Sequence, residues 1–311
     1  MAEPNKLTKP WLVAVWPGMG HVAINAGYYL LAKMEMAFVA EFSPRELFEM
    51  EHVEVKNGII QMGRLPRSRF FVWKDPLNVR DIVIFIGEAQ PAVGKQPFCH
   101  KLIEFARTLG VERVFTFAAM ATDMHPQRSP RVFGAATDRE GLDEIKRLEV
   151  EVIEDGHIGG LNGVLLGVAA EQGLRGTCLL GECPHMFAQW PFPRAALAVL
   201  RAFTSLVNIT VDFDELIEQA DAVEEKLGEI ISQIEAAIER RSNEEEEESF
   251  LPPPEPEEPK LSQEDESRLE KLFAQAADDR SKAYELKREL DRLNVFKDYE
   301  DRFLDLFKRG G

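Results

Sequence analysis

Three short segments hold the residues best suited to chemistry. Trp16-Pro17-Gly18-Met19-Gly20 follows an apolar run, and Gly156-His157-Ile158-Gly159-Gly160-Leu161-Asn162-Gly163 precedes one. Gly181-Glu182-Cys183-Pro184-His185 ends a third. Glycine allows left-handed backbone and close approach, and a helix start leaves amides free to meet an anion. In open α/β sheets, crevices form outside the carboxyl ends of strands. If the segments converge there, Pro17, Gly18, Gly20, Gly160, Asn162, Gly181 and Glu182 form one pocket for a ligand or partner. The predicted juxtaposition puts 155–163 beside 181–185. The plain alternative has the glycines serve tight turns and Glu182 cap a neighbouring amide.

Stronger chemical signatures fail. Gly94-Lys95 resembles the end of a phosphate loop, but Ala89 stands where the first glycine belongs and Gln96 where Ser or Thr must reach magnesium. Pro17–Gly20 lacks the third glycine of a dinucleotide fingerprint and the acid about 20 residues later. Among six histidines, Cys99-His100 and Cys183-Pro184-His185 lack the spacing that aims two ligands at one metal ion. The same pairs are too close in sequence for an effective thiol–imidazole dyad, and no Gly-x-Ser-x-Gly elbow exists. The sequence therefore assigns no cofactor, no metal and no catalytic residue.

Positioning these segments falls to alternating strands and helices. Strand patterns occur at Leu12–Trp16, Ala37–Ala40, Phe70–Trp73, Ile82–Ile86, Arg113–Phe117, Val150–Ile153 and Thr177–Leu180. Helical patterns fall at Ala23–Lys33, Leu102–Leu109, Leu142–Leu148, Leu161–Gln172 and Pro193–Leu206. Ile82-Val83-Ile84-Phe85-Ile86 is apolar throughout, as in a strand covered on both faces. The alternation implies crossover units, hence an α/β domain with a mostly parallel sheet. Asp212 and Glu215 have capping-box spacing. Beyond them Leu216, Ala220, Val223, Leu227, Ile230, Ile234 and Ala237 step by 4 and 3. A second stripe runs through Leu269, Leu272, Ala276, Ala283, Leu286, Leu290 and Leu293. Such stripes predict coiled-coil pairing with each other or with a partner subunit, or else a helix lying on its own domain.

Of 311 residues, 54 are acidic and 37 basic, a net charge of −17. That balance argues against nucleic acid or an anionic membrane as the main partner. No apolar run is long enough to span a bilayer, no secretory signal is evident, and three unpaired cysteines fit a reducing cytoplasm. Residues 1–240 carry a net −9 and the much shorter 241–311 a net −8. Between them lie Glu244–Glu248 and the proline-rich Leu251–Pro259, read as an extended, solvated acidic linker. The expected division is 1–206 α/β core, 207–240 amphipathic helix, 241–261 acidic Pro/Glu-rich linker and 262–311 C-terminal helical segment.

Three of these motifs in register carry a family resemblance. Trp16-Pro17-Gly18-Met19-Gly20, then Gly159–Gly167, then Leu179-Leu180-Gly181-Glu182-Cys183-Pro184-His185, resemble the proteasome assembly chaperone family. Pro193–Leu200 and the helix after Asp212 are similar too, so the likeness covers roughly residues 10–240. It implies a three-layer α/β/α sandwich related to nucleoside-phosphorylase folds, with a helical C-terminal extension. It further implies a non-enzymatic, protein-binding chaperone or scaffold that self-associates, its clients including proteasome subunits. The competing expectation is a small-molecule-binding or phosphorylase-like enzyme using the glycine-rich pocket. Some family members end in a hydrophobic residue, a tyrosine and one final residue, as proteasome activators do. Here Gly310-Gly311 ends the sequence and Tyr299 lies twelve residues back, so no gate opening through this tail is expected. Tyr299, Phe303, Leu306 and Phe307 instead share one face of a short helix pattern.

Overall fold

The computed structural model describes residues 7–42, 44–48, 53–63, 65–248 and 263–278, together with 282, 285–286, 289–290, 293, 295, 299 and 302–303. The Pro-rich part of the expected linker, and Leu306 and Phe307, lie outside the described residues. The chain divides into two compact units, Met1–Ala237 and Ile238–Gly311.

The first unit is built on one eight-stranded sheet. Its centre is the parallel set β6 (Ile82–Gly87), β1 (Trp11–Val15), β7 (Arg113–Thr122) and β10 (Arg175–Pro184), in that spatial order. On one side β5 (Ser68–Trp73) and β2 (Ala37–Phe42) add antiparallel. On the other side β8 (Val132–Ala136) pairs antiparallel with β10, and β9 (Glu151–Val152) parallel with β8. A separate hairpin, β3 (Val53–Lys56) and β4 (Ile59–Met62), turns at Asn57-Gly58, both left-handed, as a two-residue hairpin turn requires.

Side-chain alternation sorts the strands between two cores. Trp11, Val13 and Val15 of β1 join the cluster under α1 (Val22–Lys33) and α5 (Pro193–Val207), while Leu12, Ala14 and Trp16 join the one under α2 (Lys95–Thr108) and α4 (Gly160–Glu171). The layers are helix, sheet, helix, the sandwich that the resemblance implies. The short helix α3 (Arg139–Lys146) leads to β9, with Asp138 Oδ1 accepting the Gly141 amide at its start. Buried Arg113 pairs with Glu144 of α3 at 2.6 Å and donates to Thr177 Oγ1 at 2.9 Å, fixing the amino-terminal end of the sheet.

Three expectations need correction. The stripe of α6 (Asp214–Glu248) is not free for a partner over its first half. Leu216, Ala220 and Leu227 are buried, and Leu216 and Leu227 with the partly buried Val223 and Ile230 belong to the α1/α5 cluster. An apolar face beside a large core is covered by that core before any second subunit arrives. The capping box is absent: Asp212 Oδ1 accepts the Asp214 amide at 3.0 Å, and Glu215 pairs with Lys33 at 2.9 Å. Glu244–Glu248 are helical rather than extended, because glutamate is a good helix former and a solvated helix needs no burial. In the second unit, the stripe of α7 (Gln263–Asp278) closes on itself. Leu269, Leu272, Phe273 and Ala276 pack with Leu286, Leu290 and Val295, and Arg302 lies over the Phe273 ring.

Candidate functional site

The helices leave adjacent strands in opposite directions. After β1 the chain passes to α1 on one face, and after neighbouring β6 it passes to α2 on the other. At this divergence a cavity of about 470 Å³ opens at the carboxyl end of the sheet, lined by the turn after β1, Gln90 after β6, the end of β7 and the start of α4.

Gln90, which belongs to no motif, ties the rim together. Its Oε1 accepts the Leu161 amide at 3.0 Å in the first turn of α4, and its Nε2 donates to the Pro17 carbonyl at 3.4 Å. Gly160 has a φ of +67°, and a Cβ there would stand 2.8 Å from Gln90 Oε1. The cavity brings together Gly18, Gly160 and Asn162, with Pro17 beside them through its carbonyl.

Gly20, Gly181 and Glu182 do other work. Gly20, at φ +59°, exchanges backbone bonds with Ala188 and Phe192, which fastens the turn after β1 to the segment leading into α5. Gly181 is inside β10, which runs on to Pro184 rather than stopping at this glycine; a Cβ there would meet the Ala195 carbonyl at 2.6 Å. It lets α5 sit close on the sheet. Glu182, 1% exposed, is fully engaged. It accepts from Thr122 Oγ1 at 2.8 Å, the Arg131 amide at 3.0 Å and the Arg131 guanidinium at 2.6 and 3.0 Å. The Arg131 guanidinium holds its carboxyl down at about 2, so Glu182 clamps β7, β8 and β10 and offers no lone pair for a ligand.

Gly18 and Gly20 therefore differ in what they tolerate. Gly18 is extended (φ −168°) with open space around a built Cβ, whereas Gly20 is left-handed. We expect Gly20→Ala to cost about 1 kcal/mol and Gly18→Ala less than about 0.5 kcal/mol in urea unfolding.

Nucleophilic chemistry finds no support in the thiols. All three cysteines are buried, and burial pushes Cys99 and Cys178 up to about 12 and Cys183 to about 11. Among the described residues no group of three His, Cys, Asp or Glu gathers as a metal site would, and no helix is long and apolar enough to cross a membrane. A second, open groove of about 580 Å³ lies between α5 and the β8–β9 side of the sheet. Its Arg131 and Arg194 are taken by Glu182 and Glu224 at 2.6 and 2.7 Å.

Among the described residues, the hairpin gathers several exposed large apolar side chains. In the pairs Val53–Met62 and Val55–Ile60, all four side chains fall on one face, and they are 46, 74, 65 and 69% exposed. The alternate pairs, Glu54–Gln61 and Lys56–Ile59, make the other face.

These features define an open, two-faced α/β sandwich with a crevice at its carboxyl end and an apolar hairpin standing on its surface. The PAC2 family model matches residues 12–231, and the chain belongs to that family. The uncharacterized protein MJ1210 of Methanocaldococcus jannaschii is 26% identical over 227 residues, 70% of this chain and 82% of that one. Among solved structures, Pyrococcus furiosus PbaB, described as an archaeal proteasome activator, is 29% identical with a TM-score of 0.63, covering 73% of this chain and 96% of its own. P. furiosus PbaA, described as an archaeal homolog of proteasome-assembly chaperone, is 24% identical with a TM-score of 0.57, covering 80% and 97%. At that identity PbaA speaks to the fold alone.

Proposed function

We propose that this protein is a non-enzymatic assembly factor of the cytoplasm that binds other proteins, its clients being proteasome subunits, and that it self-associates. The observation that carries this reading is the hairpin. A two-stranded ribbon is marginal alone in water, and this one holds four large apolar side chains on a single open face. A surface of that kind is stabilised when a protein partner covers it, and we assign self-association to it as well. Membership in the PAC2 family and the likeness to PbaB support a proteasome-related client. The engaged state of Glu182 and the high thiol values argue against acid–base or thiol catalysis at the expected segments. Within this reading, 1–206 is the binding domain and 207–240 braces it. The remaining segments in this reading are the acidic Pro/Glu-rich stretch 241–261, of which Glu244–Glu248 are helical, and the helical segment 262–311.

The test is light scattering on the full chain and on Val55→Thr/Ile60→Thr, which keeps strand propensity while removing apolar surface. The wild type should run as an oligomer and the double variant at lower mass with an unchanged circular dichroism spectrum, its melting temperature no longer rising with protein concentration. A wild-type monomer, or an oligomer untouched by the substitutions, would refute self-association through the hairpin.

A further inference from the structure

We propose that Asn57, at the tip of the hairpin, is a site of spontaneous covalent modification, its side chain cyclising onto the Gly58 amide and opening to an isoaspartyl or aspartyl residue. The chemistry involves no partner, so its failure and the failure of the docking reading are distinguishable.

The step is intramolecular and neither oxidises nor reduces. The Gly58 amide nitrogen attacks the Asn57 carboxamide carbon and forms a cyclic imide. The bond from that carbon to the carboxamide nitrogen breaks, and the nitrogen leaves as ammonia with the proton that the Gly58 amide gives up. Water then opens the ring. Opening at the side-chain carbonyl leaves an aspartyl residue in a normal chain, and opening at the backbone carbonyl routes the chain through the β-carboxyl group.

The chain holds two Asn-Gly pairs, Asn57-Gly58 and Asn162-Gly163, and the fold treats them in opposite ways. Asn57 and Gly58 are exposed and lie beyond the last ladder pair, Lys56–Ile59. A Cβ built on Gly58 meets nothing within 4 Å, so no neighbour crowds the attacking nitrogen. Both residues are left-handed, at φ 53° and 77°, and the ring closes when this turn opens. A two-stranded ribbon, marginal by itself, opens at small cost. Asn162 and Gly163 instead lie inside α4. Thr116 Oγ1 donates to the Asn162 carbonyl at 3.2 Å, and a Cβ on Gly163 would stand 2.0 Å from the Ile158 carbonyl oxygen. Helical backbone points the Gly163 amide along the axis, away from the Asn162 side chain, and only unwinding the helix would turn it.

The hairpin is sensitive to the product. Its register is set by the two-residue turn. An isoaspartyl link lengthens that turn by one backbone carbon and adds a negative charge, so the pairs Val53–Met62 and Val55–Ile60 lose their register. The aspartyl product keeps the turn, because Asp-Gly suits the same left-handed pair.

The test ages the full chain in mildly alkaline buffer, with and without urea. Peptide mass spectrometry follows each Asn-Gly pair, and an isoaspartyl-specific methyltransferase marks the lengthened product. In the folded chain Asn57 should lose ammonia at least about tenfold faster than Asn162, whereas in urea the two should convert at similar rates. Amides over 53–62 should exchange faster in the isoaspartyl chain than in fresh protein, while Asn57→Asp should exchange as fresh wild type does. An Asn57 that stays intact in the folded chain while converting in urea, or equal rates at Asn57 and Asn162 in the folded chain, would overturn the proposal. Unchanged exchange in a chain carrying isoaspartate would overturn its effect on the hairpin.

Discussion

Glu182→Ala is expected to lower stability by about 3 kcal/mol at neutral pH, the largest single-residue effect outside the apolar cores. The carboxylate is buried and accepts bonds from Thr122 Oγ1, the Arg131 amide and the Arg131 guanidinium, so its removal frees donors on two strands together. The same clamp fixes a pH dependence. The folded carboxyl sits at about 2 against 4.5 for an unhindered glutamate, a depressed value, so folding favours the ionised form. Its contribution, on the order of 3 kcal/mol, is complete above pH 4.5 and is lost as the pH falls towards about 2. Urea titrations of the wild type between pH 5 and 2 should show that loss. In Glu182→Gln the decline over the same window should be shallower. Equal slopes would mean that Glu182 is not held as an ion.

Gly163→Ala and Gly167→Ala make the second large contrast, with opposite signs on one helix. Both glycines lie within α4, where alanine is ordinarily better by about 1 kcal/mol. At Gly167 a Cβ meets nothing within 4 Å, so the substitution should stabilise by that amount. At Gly163 the Cβ would stand 2.0 Å from the Ile158 carbonyl oxygen, a backbone atom that cannot rotate away. The loop 158–160 must then move, and we expect a loss of about 2–3 kcal/mol. Melting curves of the two variants measured together check the signs. A stabilised Gly163→Ala would show that the loop does not pack as described.

The sandwich was legible because a parallel sheet covered on both faces leaves unbroken apolar runs such as Ile82–Ile86, and because Gly110 and Gly173 mark ends of helices. What escaped has physical reasons. β8 is a short strand whose Val132-Phe133-Gly134-Ala135-Ala136 carries no alternation, since both faces are covered, Val132 facing one core and Phe133 the other, and a glycine interrupts it. The hairpin was legible in principle, because Asn57-Gly58 between two strand-like runs is a strong turn signal. Its exposure was not, since exposure depends on what packs nearby. Of the expected site, the glycines fall at the carboxyl end of the sheet, but a sequence motif does not say which way each side chain turns. Gly181 and Glu182 serve packing and clamping, while Gln90, isolated in sequence, joins three segments. The stripe of α6 left two readings open because its spacing is the same whether a helix meets its own core or a second chain, and over its first half it meets its own core.

The central claim, that the apolar face of the hairpin is where protein partners dock, is tested most directly by site-specific photo-cross-linking. A benzophenone side chain placed at Ile60, on the apolar face, is compared with one at Gln61, on the opposite face. Each full-length chain is mixed with an unlabelled second copy and, separately, with purified proteasome core subunits. The Ile60 probe should yield a defined cross-link to the second copy or to a core subunit, and the Gln61 probe little of either. No cross-link from Ile60, or equal yields from both faces, would contradict the account.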